Sequence, residues 1–225
     1  MFRFRCNFLF AFFLVQSIVI HSQQVRYSKE IEDKITLVEK SLSGWVVSPD
    51  SNWNLQGRMT YHNIHGVSIA VIHNYKLEWA RGYGWADTSD KRPVTNQTLF
   101  QAASISKSLN AVGALRLVKN KKLDLAKDIN SYLTSWKFPY DTSKTHNSPI
   151  TVTHLLSHTA GLSVHGFPGY KWTDGLPTDD EILDGKAPAN TAAVRSEFEP
   201  GRRVKYSGGG TTISKKIIMD ISGEG

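Results

Sequence analysis

The amino-acid sequence predicts a domain of the mixed α/β class, in its α+β form, with an antiparallel sheet and a majority of helices. Two β-branched or aromatic runs lie side by side early in the 225-residue chain, and the segments after them show helical periodicity. The apolar fraction of 40% and the charged fraction of 21% are ordinary for a globular protein. This composition excludes disordered, collagen-like and coiled-coil proteins.

Residues 1–22 have the pattern of a secretory signal peptide. Two arginines form a basic start, an apolar run follows over residues 8–20, and a small residue ends the segment. That run is too short for a membrane span. Because the sole cysteine, Cys6, lies inside this segment, the mature chain has no disulfide and no thiol nucleophile. We expect an exported protein, periplasmic or secreted, that meets a membrane only through its signal peptide before cleavage.

The mature chain begins with a predicted helix from Ser28 to Leu42, where apolar residues recur on one face among charged ones. A predicted β-hairpin follows. Its first strand is the β-branched run at residues 66–72, and its second is the aromatic run at residues 77–83. Asn74, in the connection, suits the left-handed backbone of a tight turn.

Three later segments show helical periodicity and are predicted as helices: 104–118, 151–162 and 211–221. Thr151 can cap the second of these helices and Gly161 can stop it. Residues 163–203 are rich in Gly, Pro and Asp and contain one short helical pattern, at 178–183. A stretch of this length without periodicity is usually a functional loop or lid.

The most informative motif is Ser104-Ile-Ser-Lys107, at the start of a predicted helix. Side chains three positions apart on a helix lie on one face, so the serine hydroxyl and the lysine amine are close together. A serine hydroxyl is a weak nucleophile until a neighbouring group takes its proton. Alone the motif is weak evidence, since a chain of this length contains on the order of one chance match.

Other segments accompany this motif in a fixed order. Residues 64–72 precede it, and residues 150–162, with the run LLSHTAGL, follow it. Residues 198–208 come next and contain Tyr206-Ser-Gly208. In this order the segments resemble the serine β-lactamase and penicillin-binding-protein superfamily, specifically its class C and esterase-like branch. Residues 164–170, VHGFPGY, further resemble the subgroup of β-lactamase-related serine hydrolases.

The resemblance implies a β-lactamase/transpeptidase-like fold, in which an antiparallel sheet is flanked by helices and joined to a mostly helical, loop-rich part at about residues 111–203. It implies a single domain over residues 23–225. The family's third motif, Lys/His-Thr/Ser-Gly, is absent from the sequence. We therefore expect a truncated, N-terminal part of such an enzyme, without the C-terminal strands and with impaired activity.

The resemblance also implies an acyl-enzyme mechanism. Ser104 would attack a carbonyl, Lys107 in its neutral form would act as the activating base, and Tyr206 would relay the proton to the leaving group. An ester, a β-lactam and a D-amino-acid peptide all fit this scheme as the small-molecule or peptide substrate. Gly208 stands where class C β-lactamases usually carry Asn, which favours an esterase or peptidase-like activity over that of a β-lactamase.

Other functions have weaker support. The net charge of +7 is spread along the chain, and its one tight cluster, Lys119 with Lys121 and Lys122, is typical of a solvated turn, so nucleic acid is not an expected partner. His154 and His158 are four residues apart, but no glutamate of a His-Glu-x-x-His motif and no third ligand accompany them. We expect no metal and no cofactor.

A second hypothesis stays open at this point. The chain could be a catalytically dead remnant or a binding module, because the third motif is missing. This hypothesis predicts no turnover of nitrocefin or of short p-nitrophenyl esters. The sequence carries no signal for an oligomeric state.

Overall fold

The computed structural model describes residues 25–42, 53–171 and 173–224. The signal peptide that the sequence predicts at residues 1–22 lies outside the described residues. In the described part of the chain, no helix combines the length and the apolar character that crossing a membrane requires.

The first compact unit, residues 1–100, contains helices and a three-stranded sheet. Its elements in chain order are helix α1 (Lys29–Lys40), helix α2 (Leu55–Tyr61), and strands β1 (Gly66–His73), β2 (Lys76–Asp87) and β3 (Arg92–Pro93). Neighbouring strands are antiparallel, and β2 is the middle strand. The predicted mixed fold class with an antiparallel sheet is confirmed.

The predicted hairpin is confirmed, with β2 five residues longer than expected. Asn74 and Tyr75 both have left-handed backbones, with φ of 48° and 61°, which is the geometry of a two-residue turn that follows the twist of the strands. The helix predicted after Ser28 is also confirmed. The Ser28 hydroxyl accepts a hydrogen bond from the N–H of Ile31 at the start of α1.

Helix α2 and strand β3 are not apparent from the sequence pattern. Helix α2 has seven residues, and the side chain of Asn54 starts it by accepting a hydrogen bond of 2.7 Å from the N–H of Gly57. It buries Leu55 and Met59. Two buried positions are too few to form a recognisable period.

The second compact unit, residues 101–225, consists of helices joined by irregular segments. Its helices are α3 (Ser106–Lys119), α4 (Thr142–Thr145), α5 (Val152–Leu156), α6 (Asp179–Asp184) and α7 (Gly208–Ser222). Helix α7 contacts α3, α5 and α6, and it places Ile213 and Ile217 in the buried core of this unit. Every residue that the sequence predicts for the active site lies in this unit.

Helix α5 is shorter than the sequence predicts. Thr151 caps it as expected, but the helix ends at Leu156 and not at residue 162. His158 adopts a left-handed backbone, with φ of 57°, and this conformation cannot continue a right-handed helix. Gly161 therefore does not stop the helix. Glycine is needed at this position because a Cβ would lie 2.3 Å from the carbonyl oxygen of Phe198.

Helix α7 begins at Gly208, three residues earlier than predicted. Residues 208–210 form its first turn, ahead of the predicted start at residue 211. The Ser207 side chain caps this start by accepting a hydrogen bond of 3.0 Å from the N–H of Gly210. Glycine is required at position 209, since a Cβ there would lie 2.5 Å from Cγ2 of Val194.

The long segment at residues 163–203 is irregular apart from α6, as the sequence predicts. Helix α6 begins with a capping box, in which the side chain of Thr178 accepts from the N–H of Glu181 and the Glu181 carboxylate accepts from the N–H of Thr178. The three consecutive acidic residues of this segment lie in the first turn of α6, where negative charge is favourable.

Candidate active site

The structure brings the three predicted site residues into one hydrogen-bonded cluster. The Oγ of Ser104 lies 2.9 Å from Oη of Tyr206. The Nζ of Lys107 donates a hydrogen bond of 3.1 Å to the same Oγ. A serine hydroxyl in contact with both an amine and a phenol has two groups at hand that can accept its proton.

The backbone before α3 presents Ser104 to solvent. Ser104 lies in a short 3₁₀ turn, Ala103–Ile105, and its side chain is exposed. Ala103 has a left-handed backbone, with φ of 43°, which is uncommon for a residue with a Cβ and is often found at functional sites. Lys107 follows in the first turn of α3 and is half-buried.

Tyr206 is held by the start of helix α7. It directly precedes Ser207, whose buried hydroxyl donates a hydrogen bond of 2.7 Å to the carbonyl oxygen of Ser163 while it caps the helix. The position of the phenol therefore depends on the capping of α7.

Electrostatics favour the ionised phenol. The ammonium of Lys107 lies 5.1 Å from the centroid of the Tyr206 ring. Hydrogen bonding to Lys107, and then to Ser104, lowers the pKa of Tyr206 from its ordinary value.

Two imidazoles pack against the Tyr206 ring. The ring of His158 is 4.4 Å from it, and the ring of His165 is 4.9 Å from it, between centroids. Burial, with a smaller contribution from Lys107, lowers the pKa of His158. The neutral form is thus favoured, and Nδ1 of His158 accepts a hydrogen bond of 3.3 Å from the N–H of Ser207.

His165 has no role in the sequence-based prediction. The sequence contains a usable signal, since VHGFPGY matches a subgroup pattern, but a pattern match alone assigns no contact to the histidine. The spatial neighbour of His165 is a residue 41 positions later in the chain, and only the folded structure reveals it.

A cleft of about 810 Å³ opens beside the cluster. It is lined by the three predicted site residues, by His165 and Phe167 of the long irregular segment, and by residues of α3 and α7. The volume is in the range of pockets that hold small-molecule ligands. The hydroxyl of Ser104 faces a space that can accommodate a substrate carbonyl.

The other candidate motifs do not form ligand sites. One imidazole nitrogen of His154 is used in the capping contact with Thr151, and no group of three His, Cys, Asp or Glu side chains within the described ranges is placed to hold a metal ion.

The match to a known family agrees with this arrangement. Residues 53–225 match the family model described as Beta-lactamase. The chain belongs to the β-lactamase family. This confirms the resemblance to the serine β-lactamase and penicillin-binding-protein superfamily.

The chain is similar to one curated protein and two solved structures that carry different names. Protein flp of Staphylococcus aureus (strain N315) is 29% identical over 165 residues, which are 71% of this chain and 30% of flp. The octameric penicillin-binding protein homologue from Pyrococcus abyssi has a TM-score of 0.60 at 26% identity, over 76% of this chain and 38% of that one. A β-lactamase/D-alanine carboxypeptidase from Pseudomonas syringae has a TM-score of 0.54 at 28% identity, over 76% of this chain and 43% of that one.

These comparisons establish the fold of a β-lactamase-family hydrolase for this chain. The chain spans 30% of the length of flp, and its two structural neighbours are likewise covered only in part. The reaction and the substrate of this protein are therefore proposals.

Proposed function

We propose that this protein is a serine hydrolase that works through an acyl-enzyme, with Ser104 as the nucleophile. The observation that carries the proposal is the contact of Ser104 Oγ with both Tyr206 Oη, at 2.9 Å, and Lys107 Nζ, at 3.1 Å, beside an open cleft. Membership of the β-lactamase family adds independent support.

In the first half of the reaction, Ser104 Oγ forms a bond to the carbonyl carbon while its proton passes to the neutral amine of Lys107 or to the phenolate of Tyr206. The backbone N–H of Ser104 is the oxyanion donor that the family resemblance implies. When the tetrahedral intermediate collapses, the bond to the leaving group breaks. The leaving group takes the proton from Tyr206, and the acyl group stays on Ser104.

In the second half, water attacks the acyl-serine ester. Either the Tyr206 phenolate or the neutral Lys107 amine accepts one proton of the water, and that proton returns to Ser104 Oγ as the acid is released. The lowered pKa of Tyr206 supports this role, because it raises the fraction of Tyr206 near neutral pH that is phenolate, the form that accepts a proton.

We propose an ester or a D-amino-acid peptide as the substrate, in preference to a β-lactam. The Pseudomonas syringae neighbour is named as both a β-lactamase and a D-alanine carboxypeptidase, so one such fold serves more than one acyl donor. The residue at position 208 supports this preference. The Asn that class C β-lactamases carry there is a glycine in this chain, and its Cβ position lies 3.1 Å from the carbonyl oxygen of His165.

A fluorophosphonate probe tests the assignment of the nucleophile. The probe should label the 225-residue protein on Ser104, as located by peptide mass spectrometry, and Ser104→Ala should abolish the label. Ser106→Ala is the matched control, since it removes the neighbouring serine of the same motif and should still be labelled. A label that survives Ser104→Ala would refute the proposal, and a wild-type protein without any label would favour the dead-remnant or binding-module hypothesis.

We also propose that the protein is exported and that residues 1–22 are its signal peptide. The basic start and the short apolar run support this proposal. The amino-terminal sequence of protein recovered from the periplasm or the culture medium should begin after residue 22. Intact protein that keeps Met1 and stays in the cytoplasm would contradict the proposal.

A further inference from the structure

The start of α7 binds three consecutive carbonyl groups of the irregular segment that precedes it. The Ser207 hydroxyl donates to the carbonyl oxygen of Ser163, at 2.7 Å. The N–H of Gly209 donates to the carbonyl oxygen of Val164, at 3.2 Å, and the N–H of Gly208 donates to the carbonyl oxygen of His165, at 3.0 Å. We name the contacts of these residues, 163–165 with 207–209, the carbonyl clamp.

The clamp depends on an unusual backbone at Val164. This residue is β-branched and yet has a left-handed φ of 60°, which is a genuine outlier for its side-chain type. The side chain of Val164 packs against the core, and the segment is also tied by the N–H of Ser163, which donates to the carbonyl oxygen of Arg195 at 2.9 Å. The surrounding structure therefore holds a conformation that the isolated segment would avoid.

The clamp also depends on glycine at position 208. A Cβ there would lie 3.1 Å from the carbonyl oxygen of His165 and 3.3 Å from Cε2 of Phe167. A larger residue would therefore require the backbone at His165 or the ring of Phe167 to shift by a few tenths of an ångström. The absence of a side chain at Gly208 thus allows His165 to approach the site.

Held in this way, the imidazole of His165 is in contact with the ring of Tyr206, at 4.9 Å between centroids and 42° between planes. The groups around this phenol are Ser104, Lys107, His158 and His165. The first two contact its polar side, and the two imidazoles pack on its ring. His158 is itself fixed by the N–H of Ser207, so both imidazoles are tied to the same end of α7.

We propose that His165 is a positioning residue. It packs against the Tyr206 ring and so keeps Oη of Tyr206 within hydrogen-bonding distance of Ser104. Gly208 contributes because its lack of a side chain lets the carbonyl clamp place His165 against this ring. The inference rests on the proposed function. His165 exchanges no proton in this scheme, so an aromatic ring without ionisable nitrogen can replace it.

The test measures the second-order rate constant for fluorophosphonate labelling of Ser104. His165→Ala should slow labelling about ten- to hundredfold, the cost typical of a misplaced catalytic group, and His165→Phe should restore most of the rate. Gly208→Ala should slow labelling in the same range. The double variant should be no slower than His165→Ala, because both changes act through one contact. Gly210→Ala is the matched control, with its nearest new contact at 3.5 Å, and should react like wild type.

The outcomes separate this inference from the proposed function. If wild type is labelled on Ser104 and His165→Ala reacts as fast, the positioning role is wrong. If His165→Phe is as slow as His165→Ala, His165 acts through its nitrogens and the packing role is likewise wrong. A wild-type protein that is not labelled on Ser104 removes the proposed function and this inference together. If circular dichroism shows that His165→Ala does not fold, His165→Phe and Gly208→Ala against wild type decide the question.

Discussion

At the scale of single residues, Tyr206 has the most constrained environment in the site. Its hydroxyl contacts Ser104, its ring lies beside the ammonium of Lys107, and two imidazoles pack against it. The cation stabilises the phenolate more than the phenol, because only the phenolate carries a charge for it to attract. Hydrogen bonding to Lys107, and then to Ser104, lowers the pKa of Tyr206, and the charge of Lys107 adds a smaller contribution.

We expect the ionisation of Tyr206 to depend on Lys107. In wild-type protein, the phenolate should form at a lower pH than in Lys107→Gln, because the neutral amide no longer favours the anion. Ultraviolet difference titration against Tyr206→Phe isolates this one phenol among eight tyrosines. The pH dependence of Ser104 labelling should move upward in Lys107→Gln as well. Identical titrations in the two proteins would contradict the role assigned to the lysine.

Two adjacent glycines of α7 should respond oppositely to alanine. In Gly209→Ala the new Cβ lies 2.5 Å from Cγ2 of Val194, and overpacking of this kind lowers the free energy of unfolding by about 1–3 kcal/mol. In Gly210→Ala the nearest atom is 3.5 Å away, and alanine stabilises a helix by up to about 1 kcal/mol relative to glycine. Urea denaturation measures both changes. If Gly209→Ala is as stable as wild type, the side chain of Val194 must move aside, and the prediction is wrong.

At the scale of elements, the capping of helices connects stability with the site. Helix α6 and helix α7 each begin with a hydroxyl residue, Thr178 and Ser207 respectively, whose side chain accepts a hydrogen bond from the third N–H of the helix. Only Ser207 is next to a predicted site residue, and only its hydroxyl also belongs to the carbonyl clamp.

The two caps give a matched pair of variants. Thr178→Ala and Ser207→Ala should each lower the free energy of unfolding by about 0.5–2 kcal/mol. Only Ser207→Ala should also slow the labelling of Ser104, because it releases the backbone that carries Tyr206 and loosens the clamp. Equal labelling rates for the two variants, after correction for the unfolded fraction, would argue against a link between this cap and the site.

Helix α3 illustrates how far periodicity determines an element. The predicted helix is present, and Ala114 is buried while Leu117 packs against the core. Leu109 and Val112, which belong to the same apolar pattern, are 70% and 63% exposed. Periodicity therefore identifies the helix, but it does not tell which apolar side chains find partners in the described residues.

At the scale of the whole molecule, the described chain forms two compact units, and the complete set of predicted site residues lies in residues 101–225. This chain spans 30% of the length of flp, so flp contains much that has no counterpart in these residues. The chemistry proposed for Ser104 depends on the side chains of Lys107 and Tyr206, which this chain contains. Labelling of Ser104 tests that chemistry directly, whereas turnover also depends on the choice of substrate.

The sequence by itself determined the hairpin and helices α1 and α3, and it contains the motif from Ser104 to Lys107, because these features follow from short-range geometry. Ser104 and Lys107 are three residues apart at a helix start, and the hairpin and its turn follow from local preferences of the chain. The order of motifs also sufficed for the family, which the family model confirms.

Only the tertiary structure decided how the site is assembled. Tyr206 is 102 residues from Ser104 in the chain, and the packing of α7 against α3 brings them together. The early end of α5 at Leu156, the helical start at Gly208 and the contact of His165 with Tyr206 all depend on backbone conformations and close approaches between distant segments. No local propensity encodes such contacts, because each depends on the space that residues far along the chain leave free.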